Sequence, residues 1–251
     1  MYIFLNLLMK SIFLVFILFF LFNSCKKENL CDCFKGTGKD IEETRQLKPF
    51  DEILVEDNIE VHLKIGTEFT AKIIAGSKVM PLVKTDIENG KLKITDNNTC
   101  DFTRDYTRKI SIIITVPTIN KITQNGTGNF FMDDEFICDR LSFYLSNSGN
   151  LFINTNANIV YGSMHGNGDV YVKGKIKSNF IYAGGQGFYN SFDASSDEMI
   201  LTLNTSGSMK VSVNQFLKID MVERSTGDIF YKGNPSILTL NIKGTGKLIK
   251  S

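Results

Sequence analysis

Between residues 125 and 246, hydrophobic and polar positions alternate around a short glycine motif that returns every 19 to 21 residues. Two positions after each motif glycine the residue is always apolar, and two positions before it the residue is always small or polar. An alternation with a period of two is typical of β-strands, whose successive side chains point to opposite faces. The motif glycines are Gly128, Gly149, Gly168, Gly187, Gly207, Gly227 and Gly246.

A repeat of about 20 residues with this alternation predicts a β-solenoid, in which each repeat forms one rung and like residues stack on like residues. We interpret each glycine as a corner between two strands. A corner favours glycine either because it needs a positive φ angle or because two backbone segments approach closely. No helical period of 3.6 residues interrupts the region. The sequence therefore predicts an all-β, single-stranded β-helix.

The segment over 50–117 contains β-rich runs and turn signals but lacks the glycine motif. The Asn89-Gly90 pair between two of these runs predicts a β-hairpin. We expect either an irregular start of the solenoid or a small antiparallel cap, because an open solenoid end exposes strand edges. No linker separates this segment from the repeats, so residues 45–251 are expected to form one domain. The runs are 53–55, 59–65, 69–74, 92–94 and 110–116.

The chain opens with an unbroken apolar run over 11–22, followed at once by Asn23, Ser24 and Cys25. Such a run is too short to cross a bilayer comfortably but fits the apolar region of a signal peptide. The small residue before Cys25 and the polar residues after it resemble a bacterial lipoprotein signal. We predict a signal peptide over 1–24 starting at Met1 or Met9, lipidation at Cys25, and a polar tether over 25–44. An ordinary secretory signal or a membrane anchor is the alternative.

Composition and cysteine count narrow the picture further. A net charge of +1 over 251 residues gives no reason to expect nucleic acid as a partner. Besides Cys25, the chain contains Cys31, Cys33, Cys100 and Cys138. An even number in an exported chain favours disulfides, with three pairings open and free thiols as the alternative. Only one pair is close in sequence, so we expect no metal site.

The sequence offers no catalytic constellation. His62 and His165 lie about a hundred residues apart, and no nucleophile motif flanks either, so we expect two surface histidines rather than a triad. Asp169 and Asp228 stand in glycine–aspartate turns, but they recur too rarely to surround a calcium ion. We expect them to stabilise their own turns through side-chain hydrogen bonds. The glycine motifs lack the Lys-Ser/Thr pair of a phosphate-binding loop, and no cofactor is expected.

Outward-facing aromatic residues are the candidate binding site. Phe152, Tyr171, Phe188 and Phe230 lie one or three positions after a corner glycine and are therefore expected on the outer face. Stacked on one sheet, they would form a stripe suited to sugar rings or a protein partner. The alternative is that a loop or tail covers them. Lysines and aspartates near the corners also form a mixed-charge face, which glycan-acting enzymes and ordinary solvated surfaces share.

Several of these motifs together resemble the family described as putative auto-transporter adhesin, head GIN domain. They are the lipoprotein-like signal, the leading segment over 36–66, the NNTCDFTRDY segment over 97–106 and the repeated G-x-G-[ND] corners. The resemblance covers about residues 34–250. It implies a right-handed β-helix in an exported protein of the Bacteroidetes type, with adhesion as a proposed role and no catalytic residues. It also implies a disulfide between Cys33 and Cys100, leaving the partners of Cys31 and Cys138 open.

We therefore expect a lipid-anchored, non-catalytic protein of the outer membrane, facing the periplasm or the cell surface. Its partners would be the membrane, through the lipid, and a glycan or protein ligand. The alternatives are a polysaccharide lyase or hydrolase on the same scaffold and a passive component of the cell envelope.

Overall fold

The computed structural model describes residues 36–98 and 109–251, and it consists of β-strands with a short 3₁₀ turn at Met80–Leu82. None of the helical segments in these two ranges is long or apolar enough to cross a membrane. The strands are β1 (Asp40–Gln46), β2 (Glu52–Val55), β3 (Ile59–Ile65), β4 (Thr70–Gly76), β5 (Val83–Glu88), β6 (Lys91–Asp96), β7 (Ile110–Val116), β8 (Lys121–Gln124), β9 (Phe130–Met132), β10 (Phe136–Leu145), β11 (Leu151–Met164), β12 (Val170–Ala183), β13 (Tyr189–Leu203), β14 (Met209–Met221), β15 (Ile229–Lys232), β16 (Ile237–Ile242) and β17 (Leu248–Lys250).

The long strands β11 to β14 each join two ladders of hydrogen-bonded strands. We call the ladder that follows the corner glycines ladder 1; it contains the row Leu151, Val170, Tyr189 and Met209. Ladder 2, which precedes the corners, contains the row Val160, Asn179, Met199 and Leu217. All these strands pair in parallel, so equivalent residues of successive repeats stack on one another. The predicted β-solenoid is confirmed.

The inward-facing rows of both ladders form a continuous apolar core. One residue that breaks the apolar pattern in sequence, Gly162, has a packing reason. A Cβ at Gly162 would lie 2.1 Å from the ring of Phe143 and 2.6 Å from Cδ1 of Ile181. These two large neighbours in the same row already fill the space, so only glycine fits between them.

The strands before the first glycine corner are part solenoid and part cap. Strands β2 and β3 form a rung that pairs in parallel with β8 and β9 on one side and with β6 and β7 on the other. The rung of β6 and β7 therefore covers the rung of β2 and β3, although β6 and β7 come later in the chain. Strands β1, β4 and β5 add antiparallel edges at this end. Both expectations for this segment, an irregular start and an antiparallel cap, are realised together.

The cap closes the N-terminal end of the solenoid with polar contacts. Arg45 of β1, at the edge of ladder 1, donates hydrogen bonds to the carbonyl oxygen of Val83 (2.8 Å) and to Oγ1 of Thr85 (3.2 Å) in β5, at the edge of ladder 2. The predicted hairpin between β5 and β6 is present, with positive φ angles at Asn89 (51°) and Gly90 (75°). Because β1 begins at Asp40, the predicted tether over 25–44 is too long, and its last residues belong to the folded domain.

The C-terminal end is open. Leu238 and Leu240 of β16 continue the inward rows of Leu217 and Ile219, but they are 42% and 45% exposed, whereas the latter two are fully buried. Within the described ranges, no further strand pairs with the outer edges of β16 and β17. The two ends of the solenoid therefore differ, one closed by polar groups and the other exposing its core.

Several predicted features lie outside the described residues: the signal peptide over 1–24, lipidation at Cys25, Cys31, and the disulfide between Cys33 and Cys100. Cys138 is described and is a free thiol. Its Sγ lies 3.7 Å from Oγ1 of Thr155, and burial raises the pKa of the thiol. Cys138 is thus a half-buried, protonated residue of the solenoid wall rather than half of a disulfide.

Candidate functional site

Each corner glycine packs against the backbone of the neighbouring rung. A Cβ at Gly187 would lie 1.9 Å from the carbonyl oxygen of Gly168, and a Cβ at Gly207 would lie 2.0 Å from that of Gly187. The same collision recurs at all seven motif glycines. None of them has a positive φ angle. Glycine is therefore required at the corners because two backbone segments approach closely. The alternative explanation, that the corners need a positive φ angle, is wrong.

At four corners, the side chain that follows the glycine accepts a hydrogen bond from the backbone of the next rung. Oδ1 of Asn129 accepts a hydrogen bond from the backbone N–H of Asn150 (3.1 Å), and Oδ1 of Asn150 accepts one from Asp169 (2.9 Å). Asp169 in turn accepts from Phe188 (2.8 Å). The expectation that these side chains stabilise their own turns is wrong, because their partners lie one rung away. This stack of acceptors makes the corner rigid where the outer face begins.

Four rings form a continuous stack on the outer face of ladder 1, which we call the aromatic stack: His62, Phe131, Phe152 and Tyr171. Their successive centroids are 4.8, 4.6 and 5.0 Å apart, with planes inclined by 16°, 11° and 7°. These separations match the spacing between neighbouring strands, so the rings cover one another's faces and leave their edges towards solvent. The stack ends at Tyr171, because Asn190 follows in that row.

The structure brings two of the four predicted stripe residues together. Phe152 and Tyr171 are neighbours in the aromatic stack. Phe230 lies in the same row but is separated from Tyr171 by Asn190 and Lys210. Phe188 lies one residue after its corner glycine, in the row of acceptor side chains, where it is 53% exposed. The predicted stripe is therefore corrected at Phe188 and Phe230, which do not join the stack.

Two members of the stack were missed from sequence for different reasons. Phe131 stands three positions after Gly128, the same offset as Phe152 and Tyr171, so the sequence contained its signal. His62 carries no such signal, because it meets Phe131 only through the parallel pairing of β3 with β9. The sequence predicts only that His62 lies on the surface.

A groove of about 510 Å³ runs along the aromatic stack. At one end, the carboxylate of Asp133 lies 3.0 Å from Nδ1 of His62 and 3.8 Å from Nζ of Lys64. Beside the groove, the hydroxyl of Tyr171 donates to Oδ2 of Asp169 (3.2 Å), and partial burial together with that carboxylate raises the pKa of the phenol. The side chains lining the groove include Phe131, Asp133, Phe152, Tyr171, Lys173, Asn190 and Asp193.

Ladder 2 carries a second aromatic surface on its outer face. The ring of His165 lies 5.0 Å from that of Tyr144 and 5.2 Å from that of Tyr182, and its Nε2 lies 2.8 Å from Oγ of Ser163. Tyr161 and Phe180 stack beside them at 5.0 Å. Both histidines of the chain thus lie in ring stacks, and His165 contacts the hydroxyl of Ser163 as well. Across residues 36–98 and 109–251, no group of three His, Cys, Asp or Glu side chains is arranged to hold a metal ion.

Comparison with known proteins places this fold. The family model described as "Putative auto-transporter adhesin, head GIN domain" matches residues 49–235. The chain belongs to this family. Among solved structures, the head GIN domain is similar to a protein described as a putative adhesin from Bacteroides fragilis NCTC 9343, with 20% identity and a TM-score of 0.78. That match covers 86% of this chain and 100% of the other.

Two further solved structures share the architecture of the head GIN domain. One, described as a putative adhesin from Parabacteroides merdae ATCC 43184, is 16% identical with a TM-score of 0.71, covering 86% of this chain and 98% of that one. The other, described as a putative lipid binding protein from Parabacteroides distasonis ATCC 8503, is 19% identical with a TM-score of 0.66, covering 86% and 100%. No curated protein matches the sequence. At these identities the likeness establishes the fold.

Proposed function

We propose that this head GIN domain is a non-catalytic binding protein of the cell envelope that holds a glycan in the groove on ladder 1. The observation that carries the proposal is the groove itself, with an aromatic stack as its floor and polar side chains along it. Family membership supports the binding role, since the family and two of the structural relatives are described as putative adhesins.

The end of the stack at Tyr171 favours a sugar over a flat protein surface. Because Asn190 follows Tyr171 in the row, no further ring of the described residues stacks on that face of the phenol, and the residue is 37% exposed. An exposed aromatic side chain without a further stacked ring can pack against the apolar face of a sugar ring, while Lys173, Asn190 and Asp193 supply groups that hydrogen-bond to its hydroxyls. The groove volume also lies within the range of small-ligand sites, about 300–1,000 Å³.

The carboxylates of the groove support binding rather than glycan hydrolysis. Asp133 and Asp193 both line it, but they belong to rungs three strand spacings apart, which places them roughly 14 Å from each other. Paired glycosidase carboxylates are separated by about 5–9.5 Å. Asp133 is moreover already engaged by His62 and Lys64. This arrangement weighs against the alternative of a glycan-acting enzyme.

The first test is binding of the purified protein to an array of neutral and acidic oligosaccharides. Tyr171→Ala should lower the affinity for bound glycans at least about tenfold, because a stacked ring contributes about 1 kcal/mol beyond its buried area. Tyr161→Ala is the matched control, since Tyr161 is 40% exposed on ladder 2. An equal loss of glycan affinity in both variants, or an unchanged affinity in Tyr171→Ala, would show that the groove is not the glycan-binding site.

The second part of the proposal is the location: an exported lipoprotein whose signal peptide spans 1–24 and whose lipid is attached to Cys25. It rests on the amino-acid sequence. Protease accessibility on intact cells tests it, with Cys25→Ser as the comparison. We expect digestion on intact cells and release of the Cys25→Ser variant from the membrane fraction. Digestion only after permeabilisation of the outer membrane would place the domain in the periplasm and contradict a role in surface adhesion.

A further inference from the structure

Two lysines converge on one aromatic ring beyond the end of the aromatic stack. Nζ of Lys232 lies 5.0 Å from the ring centroid of Phe192, and Nζ of Lys210 lies 6.0 Å from it. Both contacts fall within the range of a cation–π interaction. Phe192 sits at an irregularity of β13, where the pairing with β14 shifts register between Asn190 and Ser196. We call Phe192, Lys210 and Lys232 the basic corner.

Within the described residues, no carboxylate forms an ion pair with the lysines of the basic corner. In the part of the chain that the structure describes, Lys173, Lys210 and Lys232 form no ion pair with a carboxylate, whereas six lysines of the N-terminal rungs do. Two ammonium groups held over one ring repel each other, and a bound anion would relieve that repulsion. The corner therefore lacks a counter-charge that a ligand can supply.

The basic corner lies beyond the end of the groove that contains Tyr171, Asn190 and Asp193. Lys210 pairs with Asn190, which pairs with Tyr171, so the lysine lies two strand spacings, roughly 10 Å, from the uncovered face of that ring. Lys173, two residues after Tyr171 on the same strand, lines the groove beside that ring, and Asn190 lies between Tyr171 and Lys210. An elongated ligand packed on Tyr171 would thus lie beside Lys173 and reach the ammonium groups of Lys210 and Lys232 beyond Asn190.

We propose that the ligand of the groove is an acidic glycan, with one sugar ring on Tyr171 and a carboxylate or sulfate of a neighbouring sugar at the basic corner. This rests on the proposed function and names its substrate class. A glycan fits better than an acidic peptide or an anionic membrane surface, because a stack of aromatic rings is followed along the same row by ammonium groups without an ion-pair partner. Asp193, which also lines the groove, accepts hydrogen bonds from sugar hydroxyls and disfavours a densely anionic surface.

The test compares matched ligands by calorimetry on the full chain purified in mild detergent. The probes are oligosaccharides rich in uronic acid or sulfate, namely oligogalacturonate, oligoalginate and heparin-derived fragments, each beside its neutral derivative, esterified, carboxyl-reduced or desulfated. We expect at least one acidic probe to bind at least about tenfold more tightly than its neutral derivative. We also expect the difference to shrink as the salt concentration rises.

The variants separate this inference from the proposed function. Lys210→Ala with Lys232→Ala should lower the affinity for the acidic probe to that of its neutral derivative, while Tyr171→Ala weakens both. Lys175→Ala with Lys177→Ala is the control, since it removes two exposed lysines from the bend of β12 and should change neither affinity.

Each other outcome overturns a defined part of the argument. Neutral and acidic probes that bind equally overturn the inference and leave glycan binding intact. Failure of every oligosaccharide overturns both. Binding of anionic lipid vesicles or polyglutamate, lost in the double lysine variant while the oligosaccharides do not bind, assigns the basic corner to a different class of partner.

Discussion

Tyr189 is a fully buried phenol in an inward-facing row that is otherwise apolar. Its hydroxyl oxygen accepts a hydrogen bond from Nδ2 of Asn179, a buried residue of ladder 2 (3.0 Å). The pair links the two ladders across the core. Burial of the hydroxyl raises the pKa of Tyr189 to about 12, only partly offset by its hydrogen bonds to Asn179 and Ser191. The alternation in sequence predicted the burial of Tyr189, but not the polar partner.

Stability should therefore fall at alkaline pH through Tyr189. Above its ordinary pKa near 10, the unfolded chain releases the phenolic proton, whereas the folded chain keeps it until about pH 12. The unfolded state then binds fewer protons, so the free energy of unfolding decreases with pH over that window, by on the order of 2 kcal/mol. Below pH 10 the contribution is fully present.

Urea unfolding between pH 8.5 and 11.5 measures this decrease, with Tyr189→Phe as the variant. Tyr189→Phe should lower the free energy of unfolding by about 1–3 kcal/mol at pH 8.5, because Asn179 loses its hydrogen-bond acceptor. Its stability should then fall less steeply above pH 10. Tyr144→Phe, a change at a 37% exposed phenol, is the control and should keep the wild-type slope. Identical slopes in all three proteins would show that Tyr189 titrates normally.

At the scale of elements, the repeats were predictable and the N-terminal rungs were not. Each rung after Gly128 carries its own corner glycine and its own alternation, so the local sequence determines both strand position and facing. The rung of β2 and β3 has neither motif nor sequential neighbours. Its place depends on pairings with β6 and β7 on one side and β8 and β9 on the other. His62 joins the aromatic stack through such a pairing, which no local pattern encodes.

Adding a side chain at a corner glycine should destabilise the fold strongly, because no space is left for a Cβ. Gly187→Val should lower the free energy of unfolding by about 3 kcal/mol, because its Cβ would lie 1.9 Å from the backbone oxygen of Gly168, and backbone cannot move aside as a side chain can. Thermal unfolding followed by circular dichroism measures the loss. Gly36→Val is the matched control, since nothing lies within 4 Å of a Cβ there. An unchanged melting temperature for Gly187→Val would contradict the corner packing.

At the scale of the whole molecule, the solenoid is stabilised unequally at its two ends. The N-terminal end has antiparallel strands and Arg45, whose guanidinium spans the two ladders. The C-terminal rung has one strand neighbour in each ladder and partly exposed inward residues. The groove lies between these ends, on rungs that have neighbours on both sides. The proposed binding face therefore lies on rungs that are paired on both sides, which we expect to open less readily than the end rungs.

This asymmetry predicts that replacing leucine by alanine lowers the free energy of unfolding by different amounts at different positions of one inward row. Leu201, Ile219 and Leu240 occupy equivalent inward positions in successive rungs, yet Leu201 is fully buried and Leu240 is 45% exposed. Leu201→Ala should cost about 3 kcal/mol, because it leaves a cavity in the core, whereas Leu240→Ala should cost less than about 1 kcal/mol. Urea unfolding of both variants, at two protein concentrations, measures the difference.

The concentration series distinguishes an open end from a covered one. If Leu240→Ala costs as much as Leu201→Ala, the inward face of β16 is buried in solution, contrary to its 45% exposure in the single chain. A cost that grows with protein concentration would identify the cover as a second copy of the chain. A small cost at both concentrations shows that the stack ends in water. Its last rung should then exchange its amide hydrogens earlier than the rungs that carry the groove.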